Sequence, residues 1–310
     1  MEKSSLKMKK SSLMKKSAFD IFFDAIIYII MIFVLVITLY PFMNILAISL
    51  NDSMDSMKGG IGIIPRKFTL ENYMEIFKYN NLSHSFLISV LRTGIGTACS
   101  IVCTCMLAFV FSRKEFVYRK LFVVIFVLTM YVSGGLIPDY MNIRNLHLLG
   151  KFAVYIIPGL ISTYNVIIIR SFIDGLPYSL QESAKIDGAN DLKIFARIIL
   201  PLSLPVIATI SLFIAVGQWN SWMDTYLYAS GKAELSTLQF ELMKILSNTT
   251  ANQSAGASLI DPNSVTARKT ISPQSIRMAI TIVATIPIVI VYPFVQKYFV
   301  SGLTLGAVKS

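Results

Sequence analysis

Residues 170–201 read RSFIDGLPYSLQESAKIDGANDLKIFARIILP. Pro177 stops any helix that precedes it, because proline lacks an amide donor and restricts the residue before it. Ser179 followed by Glu182 is an S-x-x-E capping box, so a short helix is expected to begin there. Gly188 suits the left-handed position just past a helix end. Asn190 or Asp191 can then cap a second helix, which runs toward Pro201. The segment reads as an ordered elbow of helix, glycine break and helix, not as a tether.

On both sides of the elbow the chain turns apolar. Of its 310 residues 55% are hydrophobic and only 15% charged, against about 45–50% and about 25% in soluble domains. That composition excludes an ordinary soluble globule and a disordered chain alike. A membrane-crossing helix needs about 20 mostly apolar residues. Windows free of Asp, Glu, Lys and Arg occur at residues 25–51, 93–112, 121–138, 152–169, 198–223 and 278–296. The expected fold class is all-α: a polytopic membrane protein of six transmembrane helices, with the elbow, 176–201, between the fourth and the fifth. Pro41, Pro158, Pro205, Pro287 and Pro293 lie in or near these windows. They do not veto a span, because neighbouring helices can satisfy the freed carbonyls. The first window exceeds the 7–15 apolar residues or so of a secretory signal, so it is kept as an uncleaved span.

Orientation follows from the basic residues, which give the chain its net charge of +11. With the N-terminus inside, segments 1–24, 113–120, 170–197 and 297–310 hold 16 Lys and Arg in 74 positions. Segments 52–92, 139–151 and 224–277 hold 12 in 108. The positive-inside rule then places both termini and the elbow in the cytoplasm. The six Lys among the first 16 residues fit that topology signal; a nucleic-acid arm or an anionic-lipid contact is the alternative. The expected division is a basic tail at 1–24, a six-helix bundle at 25–300 and a small-residue tail at 301–310.

ESAKIDGA at Glu182–Ala189, followed by Ile198, Leu200 and Pro201, resembles the EAA loop of ABC-importer permeases. That loop reads E-A-A, a Gly four residues later, then I-x-L-P; only Ser183 departs, and it too is small. FTLENY at Phe68–Tyr73, QWNSWMD at Gln218–Asp224 and KYFVSGLTLGAVKS at Lys297–Ser310 are similar to elements of the carbohydrate-uptake, MalG/LplC-like branch of that family. The likeness spans nearly the whole chain. The main departure is the polar stretch 247–275, which looks like an insertion in the last external loop.

The resemblance implies a binding-protein-dependent transport system inner membrane component in a bacterial cell membrane. Its implied partners are a second homologous permease completing a heterodimeric pore, two cytoplasmic ABC ATPase subunits, an extracytoplasmic solute-binding protein, a saccharide and the lipid bilayer, and no nucleic acid. No cofactor is expected in this chain; ATP and Mg belong to the ATPase subunits. In keeping with that, no G-x-x-x-x-G-K-[ST] phosphate cradle is present, since Gly150-Lys151 and Gly231-Lys232 lack its other elements. The expected ATPase-coupling residues are Glu182, Ser183, Ala184, Asp187, Gly188 and Ala189. Small side chains at 183 and 184 let a partner surface come close. By resemblance Glu182 pairs with an Arg of the ATPase, unless it only closes its own capping box. The tail from Ser301 is implied to touch the ATPase pair, with a frayed terminus as the alternative.

Gln218 and Asn220 are the candidate substrate-pathway residues, amides close to Trp219 and Trp222 in the mixture sugar sites use. The two Trp also fit an interfacial aromatic belt. Arg92 precedes the second window, where it can snorkel, form an ion pair in the bundle or line a pathway. Cys99, Cys103 and Cys105 read as small apolar side chains, and neither His84 nor His147 has an evident ligand set. Asn248 and Asn252, each in N-x-[ST], read as polar loop residues. A self-sufficient secondary transporter of small solutes is the alternative function. It is disfavoured by the lack of a repeat and of intramembrane ionisable groups other than Arg92. An intramembrane hydrolase would need a nucleophile and base in reach, and no G-x-S-x-G elbow occurs; the chain is expected not to be an enzyme.

Overall fold

The computed structural model describes residues 18–78, 82–256 and 272–307. Helix α1, Ala18–Ser49, starts inside the stretch assigned to the basic tail, because residues 18–23 are apolar but for Asp20. Its end is held by the FTLENY stretch. Asn51 and Phe68 form an antiparallel bridge. The buried Asn72 amide donates to the carbonyls of Ser49 at 2.8 Å and Asn51 at 2.9 Å. These bonds supply donors to helix-terminal carbonyls that have none within the helix. Asn72 and Tyr73 belong to helix α2, Glu71–Lys78.

Helix α3, Leu82–Ser112, is the centre of the bundle. At about 1.5 Å per residue its 31 residues reach about 46 Å, ample for a bilayer core. The window 121–138 is not one helix. α4, Arg119–Tyr131, and α5, Leu136–Asn145, meet at 119°, the corner being Ser133-Gly134-Gly135 with Gly135 at φ 84°. The window 152–169 departs further: a 3-10 turn at Phe152–Tyr155 is followed by an irregular stretch around Pro158 and Gly159. Only then does the 12-residue α6, Thr163–Asp174, begin.

The elbow follows as α7, Ser179–Ile186, and α8, Asp191–Leu202. α8 widens into a π-helical turn at Phe195–Ile199 just before Pro201. It then turns by 81° into α9, Leu204–Asn220, where Pro201 and Pro205 withdraw two donors from the helical ladder. α10, Met223–Tyr228, and α11, Leu238–Gly256, lead to α12, Pro273–Ala307. Two sequence expectations change here. Asn248 and Asn252 lie within α11 rather than in a loop, as does the 247–256 part of the presumed insertion, while 257–271 fall outside the described residues. The tail from Ser301 is helical as far as Ala307.

Three of the described helices are single segments long and apolar enough to cross a membrane, and the count reaches five if each bent pair is one span. The six apolar windows are therefore not six straight helices. α6 and α9 pack on α3, and α12 packs on α9 and α1. One core cluster joins Phe109 and Phe111 of α3, Ile169 and Ile173 of α6, and Ile194 and Ile199 of α8. A second joins Trp219, Leu238, Leu242 and Ala279.

Candidate functional site

The elbow is built one residue earlier than its capping box predicts. Tyr178 already has helical φ and ψ, and no side chain caps α7. Pro177 supplies the first turn's carbonyl, at 3.3 Å from the Leu180 amide. Ser179 therefore sits inside the helix, and its expected cap on Glu182 does not form. The other end follows the sequence closely. Gly188 has φ 76°, the left-handed region a side chain disfavours. The Asn190 side chain accepts from the Lys193 amide at 2.9 Å, so Asn190 rather than Asp191 caps α8.

The predicted coupling residues divide by exposure. Glu182, Ser183, Asp187 and Gly188 face outward, Ala189 is half-buried, and Ala184 is turned into the core. Ile186, at 86% exposed, and Leu192 are exposed as well. Ile186 is the most exposed apolar side chain of the elbow.

The elbow is clamped to α3 by residues that carry no motif. Buried Arg113, just past the end of α3, donates to Gln181 Oε1 at 2.7 Å and to Asp191 Oδ1 at 2.6 Å. It thereby holds α7 and α8 at once, with its guanidinium 5.3 Å from the Phe109 ring centroid. Glu115 forms a second fastening. It pairs with Lys185 and accepts from the Tyr178 hydroxyl at 3.0 Å. The Lys185 hydrogen bond, followed by that of its own backbone, brings the Glu115 carboxyl down to about 2.

Toward the other end of α3 lies a cavity of about 560 Å³, within the range of ligand pockets. Arg92, only 2% exposed, is its charged wall. It pairs with both oxygens of Asp224, and donates to Gln218 Oε1 at 2.8 Å and to the Ser221 carbonyl at 3.1 Å. It also lies 4.7 Å from the Tyr155 ring centroid. The arginine is thus an ion-paired group of the bundle and a cavity-lining group together. Gln218 packs closely on Gly96 of α3; a Cβ there would come within 3.1 Å of the amide.

Of the two predicted pathway residues, Gln218 lines this cavity and Asn220 does not. Asn220 bonds the Val216 carbonyl of its own helix at 3.0 Å and the Gln239 side chain at 3.0 Å. Trp219 is neither a sugar platform nor a belt residue. It is buried, with its indole N–H donating to the Ala284 carbonyl at 3.1 Å. Sequence reading missed Asn165 and Ser100, which line the cavity from α6 and α3; polar residues isolated in apolar windows were the available signal. Among the described residues no group of His, Cys, Asp and Glu is placed to hold a metal.

Residues 100–305 match the family described as binding-protein-dependent transport system inner membrane component. The chain is 39% identical over 289 residues to the polygalacturonan/rhamnogalacturonan transport system permease protein YtcP of Bacillus subtilis, covering 93% of this chain and 98% of that one. It is 37% identical to protein LplC of the same organism, over 88% of this chain and 90% of that one. Among solved structures it is similar to a bacterial ABC transporter involved in the import of the acidic polysaccharide alginate. That likeness has a TM-score of 0.77 and 28% identity, and covers 92% of this chain and 99% of the other. With an all-α bundle, a rooted elbow between α6 and α9 and these likenesses, the chain belongs to the inner membrane components of binding-protein-dependent transport systems.

Proposed function

We propose that the chain is one half of the translocation path of an ATP-driven oligosaccharide importer in a bacterial cell membrane. A second homologous permease completes the pore, two ABC ATPase subunits dock on the elbow, and an extracytoplasmic binding protein delivers the saccharide. ATP and Mg are held by the ATPase subunits, so this chain carries no chemistry of its own. The chain crosses the membrane six times, with the bent pairs and the α6 segment completing the count, and both termini are cytoplasmic. The names of the similar permeases and of the alginate importer support a saccharide cargo.

The observation that carries the reading is the elbow. Its outer surface presents Glu182, Ser183, Ile186 and Asp187, while Ala184 and Ile194 root it in the core and Arg113 ties it to α3. A surface that is exposed, partly apolar and rigidly joined to a spanning helix can pass a partner's movement into the bundle. Glu182→Lys reverses a charge on that surface without touching the clamp. Membrane insertion and melting are expected to be unchanged and ATP-driven uptake by the assembled complex in proteoliposomes to be abolished. Wild-type uptake per ATP hydrolysed in this variant would sink the reading.

A further inference from the structure

We infer that the cavity between α3, α6 and α9 is a saccharide subsite of this chain itself, taking a neutral sugar ring through Ser100 and Asn165. The inference rests on the importer reading and adds the place and chemistry of recognition. Asn165 is 8% exposed, lines the cavity, and has no side-chain hydrogen bond among the described residues. Ser100 on α3 is buried in the same wall and equally lacks a partner. The polar atoms of both open onto the cavity, since neither belongs to the fully buried unpartnered atoms of the described residues, so a ligand can reach them. Two such groups facing one cavity are acceptors and donors held for a ligand. Gly217 sharpens the point, since it lines the same cavity and a Cβ there would meet nothing within 4 Å.

The charges select the class of ligand. Arg92 is the only cation in the lining among the described residues, and Asp224, Gln218 and the Ser221 carbonyl occupy its guanidinium. Asp139 adds a second carboxylate with no basic partner among the described residues. The lining is therefore net negative. A sugar carboxylate entering it would be repelled and would find no free cation. Hydroxyl groups meet the Asn165 amide and the serine hydroxyls, which recognise an uncharged ring by its edge, while the Tyr155 face is taken by Arg92 and Tyr228 stacks on Tyr140.

The assembled importer in proteoliposomes tests this, with uptake of labelled oligosaccharides containing neutral rings measured against equally long homopolymeric uronates. Wild type is expected to favour the neutral-ring series. Asn165→Leu with Ser100→Ala should lower that uptake roughly tenfold, the loss of about one hydrogen bond in the complex. Basal ATP hydrolysis and melting temperature should hold, because neither side chain has a partner in the chain to lose. Gly217→Ala, whose added Cβ meets nothing within 4 Å, places a methyl on the cavity wall and should lower uptake with the same intact melting. Unchanged uptake in the double variant, or a wild-type preference for uronates, overturns the subsite alone. Absence of any ATP-driven saccharide uptake by wild type overturns the importer reading and the subsite with it.

Discussion

Replacing Arg113 by Met removes one guanidinium and leaves the aliphatic stem that packs on Phe109. Arg113 makes one bond to a buried neutral partner, Gln181 at 2.7 Å, and two ion pairs to exposed carboxylates, Asp191 at 2.6 Å and Glu115 at 3.5 Å. A hydrogen bond from a charged donor contributes about 1.5–3 kcal/mol. The exposed ion pairs each add only about 0–1 kcal/mol after screening. The expected loss is therefore about 2–4 kcal/mol, most of it from the Gln181 side. It should not release the elbow altogether, because Ala184, Ile194 and Ile199 remain buried in the core. The variant is expected to melt several degrees lower in detergent, to bind its ATPase subunits, and to import less per ATP hydrolysed. A cycle with Gln181→Met separates the pair from its surroundings, with a coupling energy of about 1–2 kcal/mol expected. Additivity within about 0.5 kcal/mol, or unchanged uptake per ATP, would refute the clamp.

Asp224→Asn leaves Arg92 charged and buried without its counter-ion, and a cost of about 3–5 kcal/mol is expected in thermal melting. Adding Arg92→Gln should recover part of that loss, and no recovery would contradict the pairing. Glu115 gives a pH dependence with a definite sign. Its folded-state value of about 2 lies below the ordinary 4.5, so its stabilisation is complete above pH 4.5 and drains as pH falls toward 2. The half-exposed site keeps the effect small. Melting of Glu115→Gln across pH 2–6 should show a flatter acid limb than wild type, and parallel limbs would exclude the fastening.

Local features of the elbow were legible because they depend on neighbours in sequence. Gly188 and Asn190 needed only a helix end and a helix start. Ser179 misled because the helix starts one residue sooner, with Tyr178 already helical and the Pro177 carbonyl closing the first turn, which leaves the serine inside it. The clamp had no such signal: Arg113 and Gln181 are 68 positions apart, and nothing in 113–120 distinguishes a clamp from a run of topology charges. The FTLENY stretch was visible as a pattern, yet its work, Asn72 closing the end of α1, depends on a chain reversal that composition does not reveal. Trp219 was read by residue type as interfacial or sugar-facing, and its burial follows instead from α12 lying across α9. Asn165 was overlooked because a search for apolar windows discounts the single polar residue that such a window tolerates.

The two buried arginines stand at two stations of one helix. Arg92 and Arg113 are 21 positions apart, about 30 Å along α3. Other long routes through the described bundle have a place to yield: Pro41 in α1, the 119° corner after α4, the π-turn and 81° bend between α8 and α9, and two prolines in α12. α3 has no internal proline and no bend pairing. If the elbow delivers a displacement at Arg113 as proposed, an α3 without proline or bend would carry it to the cavity wall at Arg92. Arg113→Met and Asp224→Asn accordingly act on one line of transmission from opposite ends. Their stability losses should add, since sites this far apart share no contacts. Their effects on uptake should not, because once the line is cut at one station the second cut has little left to remove. Multiplicative losses of uptake in the double variant would mean that the elbow and the cavity are driven separately, and α3 would then be a scaffold rather than the link between them.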